Sequence, residues 1–238
     1  MTVAFKGVED PETRADTGPQ PQPTGLTPRA RLGSSASYVG TQIGPYQVIK
    51  ELARGGMGVV YVARHTQLDR IVALKQVFAP RGREASLIRR LEEEARAAAR
   101  LNHPNIVRVH ELLTHDDYPY LVMEFVEGVS LADQLQRGGV MSGRDAAALT
   151  VTLSRAVQHA HDCSIVHRDI KPGNVLVAES GRIVLTDFGL ARDQDRDQFT
   201  KTGTAIGSPG YMPPEQADGD LPAIGPASDV YALGATLY

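Results

Sequence analysis

The sequence holds one cysteine, Cys163, among 238 residues. No intramolecular disulfide can form, and no Cys/His cluster has zinc-site spacing. A reducing cytoplasm is the expected setting. An excess of charge of either sign is also missing: 25 Lys and Arg stand against 28 Asp and Glu, a formal net charge of -3, with a sequence pI of about 6.2. This balance gives no footprint for nucleic acid or for a polybasic membrane contact, so an anionic substrate must be held by local groups. No apolar run of signal-peptide type opens the chain, and none is long enough to span a bilayer. Nor is any Gly followed by four residues and then Gly-Lys-Ser/Thr, which argues against a P-loop NTPase.

What is present suffices for a two-lobed globular domain, since 42% of the residues are hydrophobic. Residues 1–43 are rich in Pro, Gln, Gly, Thr and Ser and bury too little apolar surface to offset their ordering entropy, so a disordered tail is expected, with a docking or phosphorylated arm as the alternative. Order is expected from Gly44, with a small lobe over 44–126 and a larger one over 127–238. Tyr46 to Leu52, Val59 to Arg64 and Arg70 to Val77 read as antiparallel strands, the first two flanking Ala53-Arg-Gly-Gly-Met-Gly58. Glycines in such a hairpin let backbone N–H groups approach a ligand, although hairpin turns use glycine anyway.

Glu84 to Leu101 reads as a helix with Leu87, Leu91, Ala98 and Leu101 on one face, and Glu94 falls on that face. A buried carboxylate needs a cation, and losing one partner of such a pair costs about 3 to 5 kcal/mol. Lys75, in the apolar strand Val72 to Lys75, is the candidate; a snorkelling lysine and a surface glutamate are the equal alternative. Pro104 stops the helix, and Ile106 to Leu113 and Tyr118 to Phe125 complete a five-stranded sheet. After a linker at Glu127-Gly128, Ser142-Gly-Arg-Asp145 has capping-box spacing, with Asp in place of Glu, and opens a helix through His161.

That helix delivers the stretch Val166-His-Arg-Asp-Ile-Lys-Pro-Gly-Asn-Val-Leu176, which packs a base, a cation and an amide onto one loop. A hairpin of Asn174 to Ala178 and Arg182 to Thr186 follows, then Asp187-Phe-Gly189 and a long polar segment, Leu190 to Gly210. Together these parts specify phosphoryl transfer, which is mostly positioning and charge neutralisation. The glycine hairpin and Lys75 would hold phosphates, with Glu94 fixing the lysine. Asp187 and Asn174 supply the hard oxygen ligands that magnesium prefers, Asp169 would accept a proton from an attacking hydroxyl, and Lys171 would steady the transferred charge. Singly, each piece has a structural counterpart: a turn after a strand, a packed histidine, an asparagine capping a bend. Their joint occurrence in this order outweighs that reading.

From about Gly44 onward the chain resembles a protein kinase of the bacterial serine/threonine type. The resemblance implies an α+β, two-lobed protein-kinase fold and the use of ATP with Mg2+, or Mn2+ in its place. It also implies protein substrates bearing Ser or Thr, and self-association for trans-autophosphorylation. Nucleotide contacts are implied at Leu52, Ala53, Gly55, Gly58, Val60, Ala73 and Leu176, with Met123 as gatekeeper and Glu124 to Val126 as the hinge. Arg168 beside the base implies a switch in which a phosphate on Thr200 or Thr202, with Thr204 as a third candidate, pairs with it; a merely threonine-rich polar loop is the alternative. Ala53 stands where the family has a first glycine, and Ser208 replaces a threonine while keeping its hydroxyl. Glu215 and Asp229 are implied as structural supports, Asp229 bracing the loop at its backbone N–H groups. The family's remaining large-lobe helices are expected to lie outside this chain, which keeps open a catalytically impaired nucleotide-binding or interaction module.

Overall fold

Alternation along the first strands sets the small lobe. In the computed structural model, which describes residues 38–55, 58–78, 84–188 and 209–238, Val72 and Leu74 of one strand join a cluster with Tyr46, Tyr61, Tyr120 and Val122. The intervening Ala73 and Val77 join another, with Leu91, Ala95, Leu121 and Met123. Successive strand side chains point to opposite faces, so the sheet is buried on both sides and its central strands are largely apolar. The strands are β1 (Gln42–Ile43), β2 (Tyr46–Gly55), β3 (Gly58–His65), β4 (Arg70–Val77), β5 (Val109–His115) and β6 (Tyr118–Glu124), with α1 (Glu84–Ala98) before β5. They form one antiparallel sheet in the order β1-β2-β3-β4-β6-β5.

Four details differ from the sequence reading. The sheet has six strands rather than five, because β1 pairs with β2 and buries Ile43; a two-residue strand carries too little pattern to be read. The described fold accordingly begins before Gly44, with the Tyr38 ring 5.8 Å from that of Tyr61. Ile106 lies outside β5 and makes a parallel bridge to Leu185 instead, while the expected linker residue Gly128 opens a further strand.

In the larger lobe, β7 (Gly128–Ser130), β8 (Val175–Ala178) and β9 (Ile183–Leu185) form a second antiparallel sheet. α2 (Leu131–Gly138) and α3 (Gly143–Asp162) precede the site loop, and a last helix spans Pro226–Leu237. Ser142 caps α3: its Oγ accepts the Asp145 N–H at 3.1 Å and donates to Asp145 Oδ2 at 2.7 Å. Ser130 and Asp133 repeat the device on α2. The buried stripe of α3 is Leu149, Leu153, Ala156, Val157 and Ala160, and it shares a core with Ile170, Val175, Leu185, Phe188, Ala232 and Leu233. The site loop therefore lies on a packed floor of α3 and the last helix. Truncating Leu153 to Ala would cost about 2 to 5 kcal/mol there.

Candidate active site

The side of the site expected to hold the base is built from the loop after α3. Lys171 Nζ lies 3.1 Å from Asp169 Oδ2, an ion pair with both side chains mostly buried. Asn174 Nδ2 donates to the Asp169 carbonyl at 2.8 Å and to Asp169 Oδ2 at 3.0 Å. The amide nitrogen of Asn174 is thus spent on Asp169, and its Oδ1 is the oxygen left for a cation. Lys171 and Asn174 both meet Asp169 at Oδ2.

Below the loop, Asp229 is fully buried and gathers three donors. Its Oδ2 accepts the His167 N–H at 2.8 Å, its Oδ1 accepts the Arg168 N–H at 2.8 Å, and His161 Nε2 lies 2.8 Å from Oδ2. Gln216 Nε2 donates to the Arg168 carbonyl at 3.1 Å. Arg168 has φ 66 and Asp187 φ 60, a left-handed backbone that costs a non-glycine residue about 1 to 3 kcal/mol and persists only where the surroundings enforce it. At Arg168 the enforcing groups are these bonds on both of its peptide groups. Ser228 Oγ, on the same helix as Asp229, donates to Glu215 Oε1 at 2.6 Å, and that bond holds the Glu215 carboxyl below its usual pKa.

His167 is a wholly buried packing residue. Its Nδ1 accepts the Asp169 N–H at 3.2 Å, its Nε2 lies 2.9 Å from the Thr186 carbonyl, and its ring is 4.5 Å from that of Phe188. A ring that accepts at Nδ1 and donates at Nε2 is neutral. Burial pushes its pKa down, outweighing the raising effect of Asp229.

On the side expected to hold phosphate, register does the positioning. Val60 sits opposite Lys75, Ala73 opposite Met123, and Ala53 opposite Val60. Val60, Ala73, Met123, Val126 and Leu176 belong to one apolar cluster, while Leu52 and Ala53 are exposed on β2. Gly55 pairs with Gly58 across the hairpin end. Only glycine fits at position 58: a Cβ there would lie 2.0 Å from the Gln76 carbonyl oxygen of β4.

Lys75 departs from expectation. Its Nζ donates to Asp187 Oδ1 at 2.7 Å, and a Lys75–Glu94 pair is not among the ion pairs between described residues. Burial would raise the Asp187 carboxyl, but Lys75 beside it, aided by His167 and Lys171, holds it below the usual range. Strand and helix periodicity place Lys75 and Glu94 on facing surfaces but cannot tell which carboxylate the lysine meets.

Reading the sequence missed His161, Gln216 and Thr186 as supports of the loop. His161 had a signal: it follows Val157 by four residues on the buried stripe of α3, where a polar side chain needs a partner. Gln216 and Thr186 act through contacts that no local pattern encodes. Gly189, Thr200, Thr202, Thr204 and Ser208 lie outside the described residues.

The protein kinase domain family matches residues 46–238. The serine/threonine-protein kinase PrkC of Bacillus subtilis is 40% identical over 195 residues, which are 82% of this chain and 30% of that protein. The serine/threonine-protein kinase PknA of Mycobacterium tuberculosis is 40% identical over 203 residues, 83% of this chain and 47% of that protein. The crystal structure of the Mycobacterium tuberculosis PknI kinase domain superposes with a TM-score of 0.69 at 28% identity, covering 84% of this chain and 73% of that one. The chain thus spans between about a third and a half of the curated relatives named here. On this match of sequence and of fold, the chain belongs to the protein kinase domain family.

Proposed function

We propose that this chain transfers the γ-phosphate of ATP to serine and threonine hydroxyls of protein substrates. The observation that carries the reading is the loop itself: Asp169 bears Lys171 and Asn174 on one carboxylate oxygen, on a backbone clamped by Asp229. Asp169 accepts the proton of the incoming hydroxyl, Lys171 balances charge on the moving phosphoryl group, and Lys75 leaves Asp187 for the nucleotide phosphates. Asn174 Oδ1 and the Asp187 carboxylate are the oxygens that would hold a divalent cation. Among the described residues no three His, Cys, Asp or Glu side chains form a metal cluster. Two protein oxygens suit magnesium, which keeps phosphate oxygens and water in its remaining positions, and manganese is the substitute of the same hardness. Such a cation supplies neutralisation of phosphate charge.

Arg168 is exposed beside Asp169, a place suited to receive a phosphate carried by Thr200, Thr202 or Thr204 after transfer between two copies of the chain. A cytoplasmic setting accords with ATP as donor, and no described helix is long and apolar enough to cross a membrane.

The test is transfer of labelled phosphate from ATP with magnesium to the protein itself and to a generic basic protein, with Asp169→Asn as control. The substitution is expected to lower transfer about 100- to 10,000-fold while nucleotide still raises the melting temperature. Equal transfer by both proteins would overturn the reading, and stabilisation without any transfer would assign a binding role instead. Mass spectrometry of the wild type should find phosphate on the Thr200 to Thr204 segment; its absence after incubation removes the autophosphorylation proposal.

A further inference from the structure

The Glu124 carboxylate, at the end of β6, is held by a group that belongs to neither the base side nor the phosphate side of the site. Arg182, immediately before β9, donates from Nη2 to Glu124 Oε1 and from Nη1 to the Pro104 carbonyl at 3.2 Å. The Arg108 N–H donates to Glu124 Oε2 at 3.4 Å, and the Glu124 N–H donates to the Arg108 carbonyl at 2.9 Å. Arg108 in turn donates from Nη2 to Asn102 Oδ1 at 2.7 Å. Three segments therefore meet at one carboxylate: the end of β6, the loop before β5, and the turn between β8 and β9.

The same loop is stitched to β9 itself. Asn105 Nδ2 donates to the Ile183 carbonyl at 2.6 Å, the Leu185 N–H to the Asn105 carbonyl at 2.8 Å, and the Val107 N–H to the Leu185 carbonyl at 2.9 Å. Two residues beyond Leu185 stands Asp187, paired with Lys75. A path of direct bonds thus runs from the first hinge residue through Arg182 to the strand that carries the phosphate-side carboxylate.

We propose that Arg182 is a positioning residue of the nucleotide site, fixing the hinge at Glu124 against β9 so that the two ends of a bound nucleotide are held at a set separation. The inference rests on the nucleotide reading above. A guanidinium suits the task because its planar fork reaches a carboxylate and a carbonyl on different segments at once, whereas an ammonium acts as a point charge. Both side chains are about one-third exposed, at 36% and 29%, so the pair adds little to global stability and its effect falls on geometry. Arg182 touches neither the base nor the reacting groups, so its loss weakens nucleotide binding and leaves the chemical step in place.

The experiment measures ATP affinity with magnesium by equilibrium titration on the whole chain, alongside KM for ATP, kcat and melting temperature. Arg182→Gln is expected to weaken affinity and raise KM about three- to fivefold, with kcat changed less than twofold and an unchanged melting temperature. Arg182→Lys should recover part of the loss, and the exchanged pair Arg182→Glu with Glu124→Arg more of it than either single reversal. Unaltered affinity in Arg182→Gln would overturn the proposal. So would a parallel fall in kcat, affinity and melting temperature, which marks general loosening. The titration needs no turnover: if the wild type binds nucleotide but transfers no phosphate, the kinase reading fails while the role of Arg182 is still decided. A wild type that binds no nucleotide would overturn both.

Discussion

The floor of the site and its phosphate side are held together in different ways. At the floor, Asp229 meets structural groups of the chain itself: two backbone N–H donors and a histidine ring. Above it, the charges are satisfied by one another, Lys75 by Asp187 on the phosphate side and Lys171 by Asp169 on the base side. The first arrangement fixes a shape. The second keeps charged groups paired until a ligand of the right charge exchanges for the partner. Buried charges are tolerable only when compensated, so a site awaiting both an anion and a cation is well served by storing its own.

The largest effect expected from this contrast falls on the floor. Asp229→Ala leaves two backbone donors and His161 without an acceptor and should destabilise the fold by about 3 to 5 kcal/mol, measured by denaturant unfolding. A loss below about 1 kcal/mol would mean that the floor is no stiffer than the phosphate side. Gly58→Ala comes next. Its Cβ must displace β3 from the Gln76 carbonyl, at a cost of about 1 to 3 kcal/mol, with weaker nucleotide-induced stabilisation as the second readout.

Acid should act on both regions in the same direction. The pKa values of His167, His103 and His110 are lowered in the fold, chiefly by burial. The unfolded chain therefore takes up more protons below about pH 6.5, and stability should decline as pH falls through that value. The lowered Asp187 carboxyl adds stability that is present above about pH 4 and lost below it. Unfolding midpoints collected from pH 8 to pH 4 check the sign; a rise on acidification would contradict it. The smallest effect is expected at the exposed Arg54–Glu51 pair on β2, where substituting both residues with Gln should leave the melting temperature unchanged.

Much of this was legible in the chain. The apolar runs of β3, β4 and β6, the Ser142 cap and the stripe of α3 are local patterns, and the charged residues of the site loop stood out because a plain connector has no use for them. What was not legible depends on tertiary choice. Periodicity places Lys75 and Glu94 on facing surfaces, and only the assembled lobes select Asp187. Ile106 has strand propensity yet bridges to β9, because Leu185 bonds the flanking Asn105 carbonyl and Val107 N–H. Arg182 read as the polar end of a hairpin, because its partners Glu124 and Pro104 lie 58 and 78 residues away.

The carboxylate of Asp229 also ties the site to the order in which the chain acquires its shape. It joins His167 and Arg168 across 62 and 61 residues of sequence, and long-range closures of this kind form more slowly than local contacts. The left-handed turn at Arg168 lacks the Asp229 acceptor until the last helix has docked on α3. A partly folded chain, even one with a finished small lobe and a bound nucleotide, would carry Asp169 on a backbone still free to relax. On the proposed reading, competence would then arrive only as the lower lobe closes.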